Sequence, residues 1–242
     1  MLARRSALLA VAAAVHFAPP PATAAADSDE PPAGAEDQSS IALPAVGVVS
    51  GELAPVRARP TGRARQLQVL RLLRPDARLQ VVLVVGRHRD ALDRLWYRVR
   101  LQRRPNGTRG WVLASRLNIH RVRTRIVVRR AARTLTVRRG GRVLLRTRIA
   151  VGAPGARTPL GSFYVTARFR PRLGYLGAYA FETSAYSRLS DWPGGGIVGI
   201  HGTDQPQLLG QAVSHGCIRM SNRAVRRMRM LIPLGAPISI RR

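Results

Sequence analysis

The sequence is poor in acids and almost devoid of thiols. Twelve Asp and Glu stand against 41 basic residues, every one of them arginine, in a chain of 242 residues with a formal charge of +29. From residue 120 onward the only carboxylates are Glu182, Asp191 and Asp204. Their spacing does not suit the paired acids of a glycosidase, nor a calcium or polycarboxylate metal centre. There is a single cysteine, Cys217, so an internal disulfide is excluded and the thiol stands out as a reactive group. No apolar run is long enough to cross the roughly 30 Å of a bilayer core, so no membrane span is expected in the mature protein.

What is present begins with a short apolar run, Ser6 to Val15, behind Arg4 and Arg5. Small residues at Ala22-Thr23-Ala24 or Ala24-Ala25-Ala26 follow. Residues 1–26 therefore read as a secretory signal peptide, and the protein is expected to be exported, periplasmic or cell-wall associated. An unpaired thiol in an oxidising compartment, where cysteines usually pair, again points to reactivity. The arginines are dispersed and no nucleic-acid signature interleaves them, so no nucleic acid is expected. Anionic wall polymers are the expected electrostatic partner, with an unspecific solvated basic surface as the alternative. Residues 27–42, with five acids and Pro31-Pro32, read as a disordered acidic linker.

Residues 43–119 form a first domain. Apolar runs at 46–49, 67–73, 79–85, 95–101 and 110–113 are separated by turn signals such as Arg74-Pro75-Asp76 and Pro105-Asn106-Gly107, which suggests a small antiparallel barrel. The hairpin Trp96-Tyr97-Arg98-Val99, Asn106-Gly107, Gly110-Trp111-Val112 is similar to the last strands of bacterial SH3-like domains, a resemblance that implies a module binding wall components or positioning its neighbour. Asp90 and Asp93 near His88 lack regular ligand spacing and read as a solvated loop.

The chemistry concentrates between Ile200 and Asn222, IHGTDQPQLLGQAVSHGCIRMSN. His201, His215 and Cys217 lie in this one stretch. His215 and Cys217 are two apart and on an extended strand would point the same way. A thiol is mostly protonated at neutral pH; a neighbouring imidazole can take its proton and then stabilise the anion. Backbone N–H groups of Gly216 and Cys217 would receive the charge developing on an attacked carbonyl oxygen. Other readings of the same residues are a small buried Cys with structural histidines and a Cys-His₂ zinc site.

IHG followed by SHGCIRMSN resembles the signature of the L,D-transpeptidases of bacterial cell walls, the YkuD-type family. Val151 to Val165, VGAPGARTPLGSFYV, is similar to that family's second recurrent stretch. The resemblance runs from near Arg123 to Ile240. It implies Cys217 as nucleophile, His201 as proton acceptor held by the backbone carbonyl of Gly202, and His215 in a positioning role. It also implies substrate contacts at Ser214 and Arg219, and no cofactor and no metal. The family's reaction acylates the cysteine with a peptidoglycan stem peptide and passes the acyl group to an amine of a second stem, cross-linking the wall. Carbapenem-type inhibitors characteristically acylate the same thiol. Alternatives on this site are an L,D-carboxypeptidase or a wall-protein anchoring transferase; a non-catalytic wall-binding module is the alternative outside enzymes.

Within residues 120–242, the expected catalytic domain, the pattern stays β. Gly140-Gly141 marks a hairpin turn. Eight of the twelve aromatics fall between Phe163 and Trp192, where strands flank a long loop between Phe169 and Tyr179, in the region where the family places a lid over its cysteine. After Cys217, Ser221 or Asn222 caps a helix from about Arg223 to Ile232, and Ala236 to Ile240 is a last strand. The fold class is mainly β: a small N-terminal SH3-like barrel, then a β-sandwich-type L,D-transpeptidase catalytic domain with one short helix after Cys217.

Overall fold

A first sheet takes its strands consecutively from the chain: β1 (Ala45–Val49), β2 (Leu53–Arg57), β3 (Gln66–Arg71), β4 (Val81–Arg89), β5 (Leu95–Arg100), β6 (Arg109–Leu113) and β7 (Leu117–Arg121). They come from a computed structural model that describes residues 38–191 and 194–242. Strand order is β3-β2-β6-β5-β4-β1-β7, and all pairings are antiparallel. Alternation builds its core: Val56, Leu70, Val84, Tyr97, Val99, Val112, Leu117 and Ile119 are buried together, while β4 is also buried on its other face through Val81 and Leu83. Two strands escaped the apolar-run reading. Strand β2 contains Pro55, which weakens a strand signal, and β7 alternates Leu117 and Ile119 with Asn118 and His120. The expected signal peptide and most of the expected linker fall in residues 1–37, outside the described residues. The linker's last residues do not fit disorder: Ile41 is buried, and Gln38 Oε1 accepts the Ile119 N–H at 3.0 Å. An apolar side chain and an amide that replaces a backbone partner tie this segment to the sheet.

The second sheet contains β8 (Thr124–Arg129), β9 (Thr134–Arg139), β10 (Arg142–Gly152), β11 (Gly161–Phe169), β12 (Ala180–Tyr186), β13 (Ile197–His201), β14 (Ala212–Ser214), β15 (Ile218–Met220) and β16 (Pro237–Arg241). The order is β14-β10-β15-β13-β12-β11-β16-β8-β9, and β9 also pairs with β10. The Gly140-Gly141 turn joins β9 to β10, with Arg139 opposite Arg142. Among the described residues there is one α-helix, α1 (Asn222–Leu231). Ser221 caps it by accepting the Ala224 N–H at 3.2 Å, and Ala224, Val225 and Met228 are its buried face. They join Ile126, Leu135, Ile149, Phe181, Ile200, Ile218 and Ile238 in one core. The protein is mainly β with one short helix, as the sequence pattern predicts.

Residues 36–242 make one compact unit, so the two sheets are not independent bodies. Val46, Val81 and Leu83 of the first sheet bury Tyr164 of β11. Beside this apolar seam, Arg74 pairs with Glu182 at 2.7 Å, and the same carboxylate accepts from Gln102 Nε2 and Thr166 Oγ1, each at 2.9 Å. Burial alone would raise the Glu182 pKa. The bonds from Arg74 and Gln102 outweigh it and hold the acid below its ordinary value.

Candidate active site

Parallel pairing of β13 with β15 assembles the site. Ile200 lies opposite Ile218, and His201 opposite Arg219. Side chains alternate across a strand, so Ile200 and Ile218 enter the core while His201 and Arg219 share the other face. One step back in the same register, Gly199 lies beside Cys217. Gly199 lies within van der Waals reach of both Cys217 and His201. A Cβ at this position would sit 3.7 Å from Cys217 Sγ and 3.7 Å from His201 Cδ2. The Gly199 N–H donates to Sγ at 3.3 Å.

His201 is buried, and its Nδ1 lies 2.6 Å from the Gly202 carbonyl oxygen. A carbonyl only accepts, so Nδ1 carries the hydrogen and Nε2 keeps its lone pair. Burial pushes the imidazole pKa down to about 4, against the pull of the Gly202 carbonyl and with help from the Arg219 charge. Cys217 moves the other way. Burial raises its pKa, while the Gly199 N–H and Arg219 lower it less strongly. Both shifts favour the neutral forms, a protonated thiol and an unprotonated imidazole.

The turn before Cys217 corrects three expectations. Gly216 has φ of +118°, a conformation natural to glycine, and the chain bends at 215–216 instead of remaining extended. His215 is turned out to an exposed position while Cys217 is half-buried, so the two do not point the same way. Ser214, expected to touch substrate, is 1% exposed. Its hydroxyl donates to the Cys217 carbonyl at 2.5 Å and accepts the Gly216 N–H at 3.2 Å, which makes it a staple of the turn. That second bond also engages the Gly216 N–H, so it is not a free oxyanion donor as expected. Arg219 is half-buried; Nη1 reaches Gln205 Oε1 at 3.4 Å, and Nε is buried with no partner among the described groups. Asp204 is exposed. Among the described residues no three His, Cys, Asp or Glu side chains are placed to hold a metal, so the Cys-His₂ zinc site is not assembled.

Several supporting residues carry no local sequence signal for this role. Asn222 accepts the Ala178 N–H at 2.8 Å and donates to the Thr203 carbonyl at 3.0 Å, clamping the segment before β12 to the loop after His201. Thr158 donates to the Gly216 carbonyl at 2.9 Å and accepts the Gly152 N–H at 2.9 Å. Ser187 packs on Gly216, where an added Cβ would approach its own Cβ to 2.7 Å. Arg104 and Asn106, from the β5–β6 hairpin of the first sheet, hold the Ser187 segment. Arg104 donates to the Ser187 carbonyl at 2.8 Å; Asn106 donates to the Tyr186 carbonyl at 2.7 Å and accepts the Tyr186 N–H at 2.9 Å. Trp192, the last aromatic of the predicted lid region, lies outside the described residues.

Residues 123–240 match the family of YkuD L,D-transpeptidase catalytic domains. This segment is similar to that family over just under half of the chain. The YkuD proteins of Bacillus subtilis strain 168 and Bacillus licheniformis are 38% and 37% identical to it over 117 and 116 residues. Each match covers 48% of this chain, and 65% and 64% of the respective relatives. Similar solved structures include an L,D-transpeptidase from Mycobacterium tuberculosis (15% identity, 79% of this chain and 98% of that chain, TM-score 0.46). Another is the catalytic domain of the E. faecium L,D-transpeptidase acylated by ertapenem (28% identity, 50% of this chain and 99% of that chain, TM-score 0.40). The L,D-transpeptidase family match and the Cys217–His201 geometry cover the same stretch of chain.

Proposed function

We propose that the chain is a cysteine-dependent L,D-transpeptidase of the cell wall, acting on peptidoglycan stem peptides. The observation that carries this reading is the parallel β13–β15 register, which puts His201 and Cys217 on neighbouring strands around Gly199. In the first half-reaction Sγ attacks the amide carbonyl of a donor stem as His201 Nε2 takes the thiol proton. The C–N bond of the amide then breaks, the imidazolium returns the proton to the leaving amine, and a thioester remains on Cys217. In the second half-reaction the amine of another stem attacks the thioester and gives a proton to His201. The new amide forms and sulfur leaves, recovering the proton.

Because both groups rest neutral, charge separates only as the acyl carbonyl arrives. The Arg219 guanidinium then favours the developing thiolate, and its exposed Nη1 end suits a stem carboxylate. Carbapenems, as strained amides, are inhibitors of the same thiol in this reading. The first sheet acts as an SH3-like wall-binding module, and the protein works outside the cytoplasm.

Mass spectrometry after incubation with a stem tetrapeptide tests the assignment. One acyl group on Cys217 is expected, along with a one-to-one carbapenem adduct. Cys217→Ala abolishes both; cross-linking by the alanine variant would overturn the reading.

A further inference from the structure

Next to the thiol turn, a cleft of about 680 Å³ opens between the β5–β6 hairpin and the second sheet. Arg104, Arg130, Arg157 and Arg188 line it, together with Tyr186 and Asn106, and no carboxylate does. Two of the guanidinia are fixed from behind by neutral groups. Arg130 donates to the Thr158 carbonyl at 2.8 Å. Arg104 donates to the carbonyls of Ser187, Leu189 and Gly195 at 2.8, 3.3 and 3.1 Å and lies 4.9 Å from the centre of the Tyr186 ring. Backbone carbonyls satisfy N–H donors without cancelling charge. None of the four arginines is in an ion pair among the described residues, whereas elsewhere Arg74 pairs with Asp76 and Glu182, and Arg94 with Asp90. Four like charges gathered from four segments repel one another, and an anion between them relieves that repulsion.

The cleft also touches the reaction site. Thr158 and Ser187 belong to its lining, and these are the residues that bond and pack against Gly216, one residue before Cys217. We propose that this cleft is a carboxylate-binding subsite for the peptide processed at Cys217, completed by Arg104 and Asn106 of the first sheet, with Arg157 and Arg188 supplying the free guanidinium donors. The proposal rests on the transpeptidase reading for the identity of the peptide. The recognising chemistry is a peptide carboxylate at a site with Arg forks, which bind such groups bidentately. A phosphate would satisfy the same donors and is the competing source.

The test is calorimetric titration of the full chain carrying Cys217→Ala, so that no acylation is needed for a signal. The probes are a stem tetrapeptide with free carboxylates, the same peptide fully amidated, and glycerol phosphate. The free-carboxylate peptide is expected to bind about tenfold more tightly than the amidated one, the scale of one charged hydrogen bond. The preference should shrink with salt. Arg157→Gln with Arg188→Gln, both exposed positions, should erase the preference while leaving the melting temperature unchanged. A preference that survives in this double variant overturns the proposal and moves carboxylate reading to Arg219. Tighter binding of glycerol phosphate, lost in the double variant, overturns the carboxylate assignment in favour of phosphate. Cys217 that never acylates, in a protein that still shows the carboxylate preference, would sink the transpeptidase reading and leave the subsite standing.

Discussion

All pairings in the first sheet are antiparallel, while the second contains three parallel pairs, β10–β14, β13–β15 and β8–β16. The reactive pair sits on one of these. Antiparallel neighbours are joined by tight turns and leave a local record in the sequence. Parallel neighbours need a connection that leaves the sheet and returns, here residues 202–217, and that return brings Cys217 back beside the strand of His201. The first sheet supplies a wall and a hairpin; the second supplies the chemistry. Their roles are separable in principle, and each experiment below attacks that separation at a different depth.

His201→Ala should have the largest effect on rate, lowering acylation by a general-base factor on the order of 10²–10⁴ with the first sheet untouched. The same residue sets the acid limb. With its pKa down at about 4, the imidazole remains an unprotonated base across the mildly acidic range, so acylation should fall only near pH 4. Alkylation of Cys217 by iodoacetamide without substrate should be slow at neutral pH and rise only above the ordinary thiol range, because burial raises the thiol pKa. Labelling that is already maximal at pH 7 would show a resting thiolate and contradict the neutral pair.

Arg219→Ala should raise KM by about tenfold or more with a smaller change in kcat, as the loss of a charged hydrogen bond predicts. Arg219→Lys should recover only part of it, since the charge returns without the fork. A lowered melting temperature with KM unchanged would make Arg219 a brace of the strand–helix junction.

Arg74→Ala cuts between the sheets. The pair with Glu182 is about 15% exposed on either side, and its loss should cost about 1–3 kcal/mol, read as a fall of roughly 2–4 °C in Tm per kcal/mol. Glu182 is held below its ordinary value of 4.5. Its contribution is therefore fully present above that value and lost as pH falls through the lower, folded pKa. The Tm gap between wild type and variant should be constant from neutral pH to about 4.5 and narrow below it.

The smallest expected effect is that of Arg104→Ala. With the melting temperature nearly unchanged, acylation should fall by up to about tenfold, through misplacement of the Ser187 segment behind Gly216. An unaltered rate would leave the hairpin a spectator and restore the separation of the two sheets.

Legibility in the sequence follows the same division. The five apolar runs of the first sheet were readable because alternation and turns are local, whereas β2 was masked by Pro55. Helix α1 was readable from Ser221 and the spacing of Val225 and Met228. His201 and Cys217 stood out through residue type and motif, but the turn at Gly216 was not legible: a two-residue spacing implies one shared direction only if the backbone stays extended. The resemblance implies a substrate contact at Ser214, but residue type alone gives no sign of which way its hydroxyl faces. Ser187, Asn222, Arg104 and Asn106 act across separations of up to 91 residues, and nothing in their neighbours announces it.

The neutral resting pair has a consequence beyond acyl transfer. Peroxide attacks thiolates, and a lone cysteine once oxidised to sulfenic acid has no second thiol in the chain to rescue it as a disulfide. Held protonated and half-buried until a carbonyl arrives, Cys217 presents little thiolate to oxidants at neutral pH. The burial that keeps the Cys217 thiol protonated also slows its irreversible loss, so oxidation by hydrogen peroxide should follow the alkaline rise of the thiol.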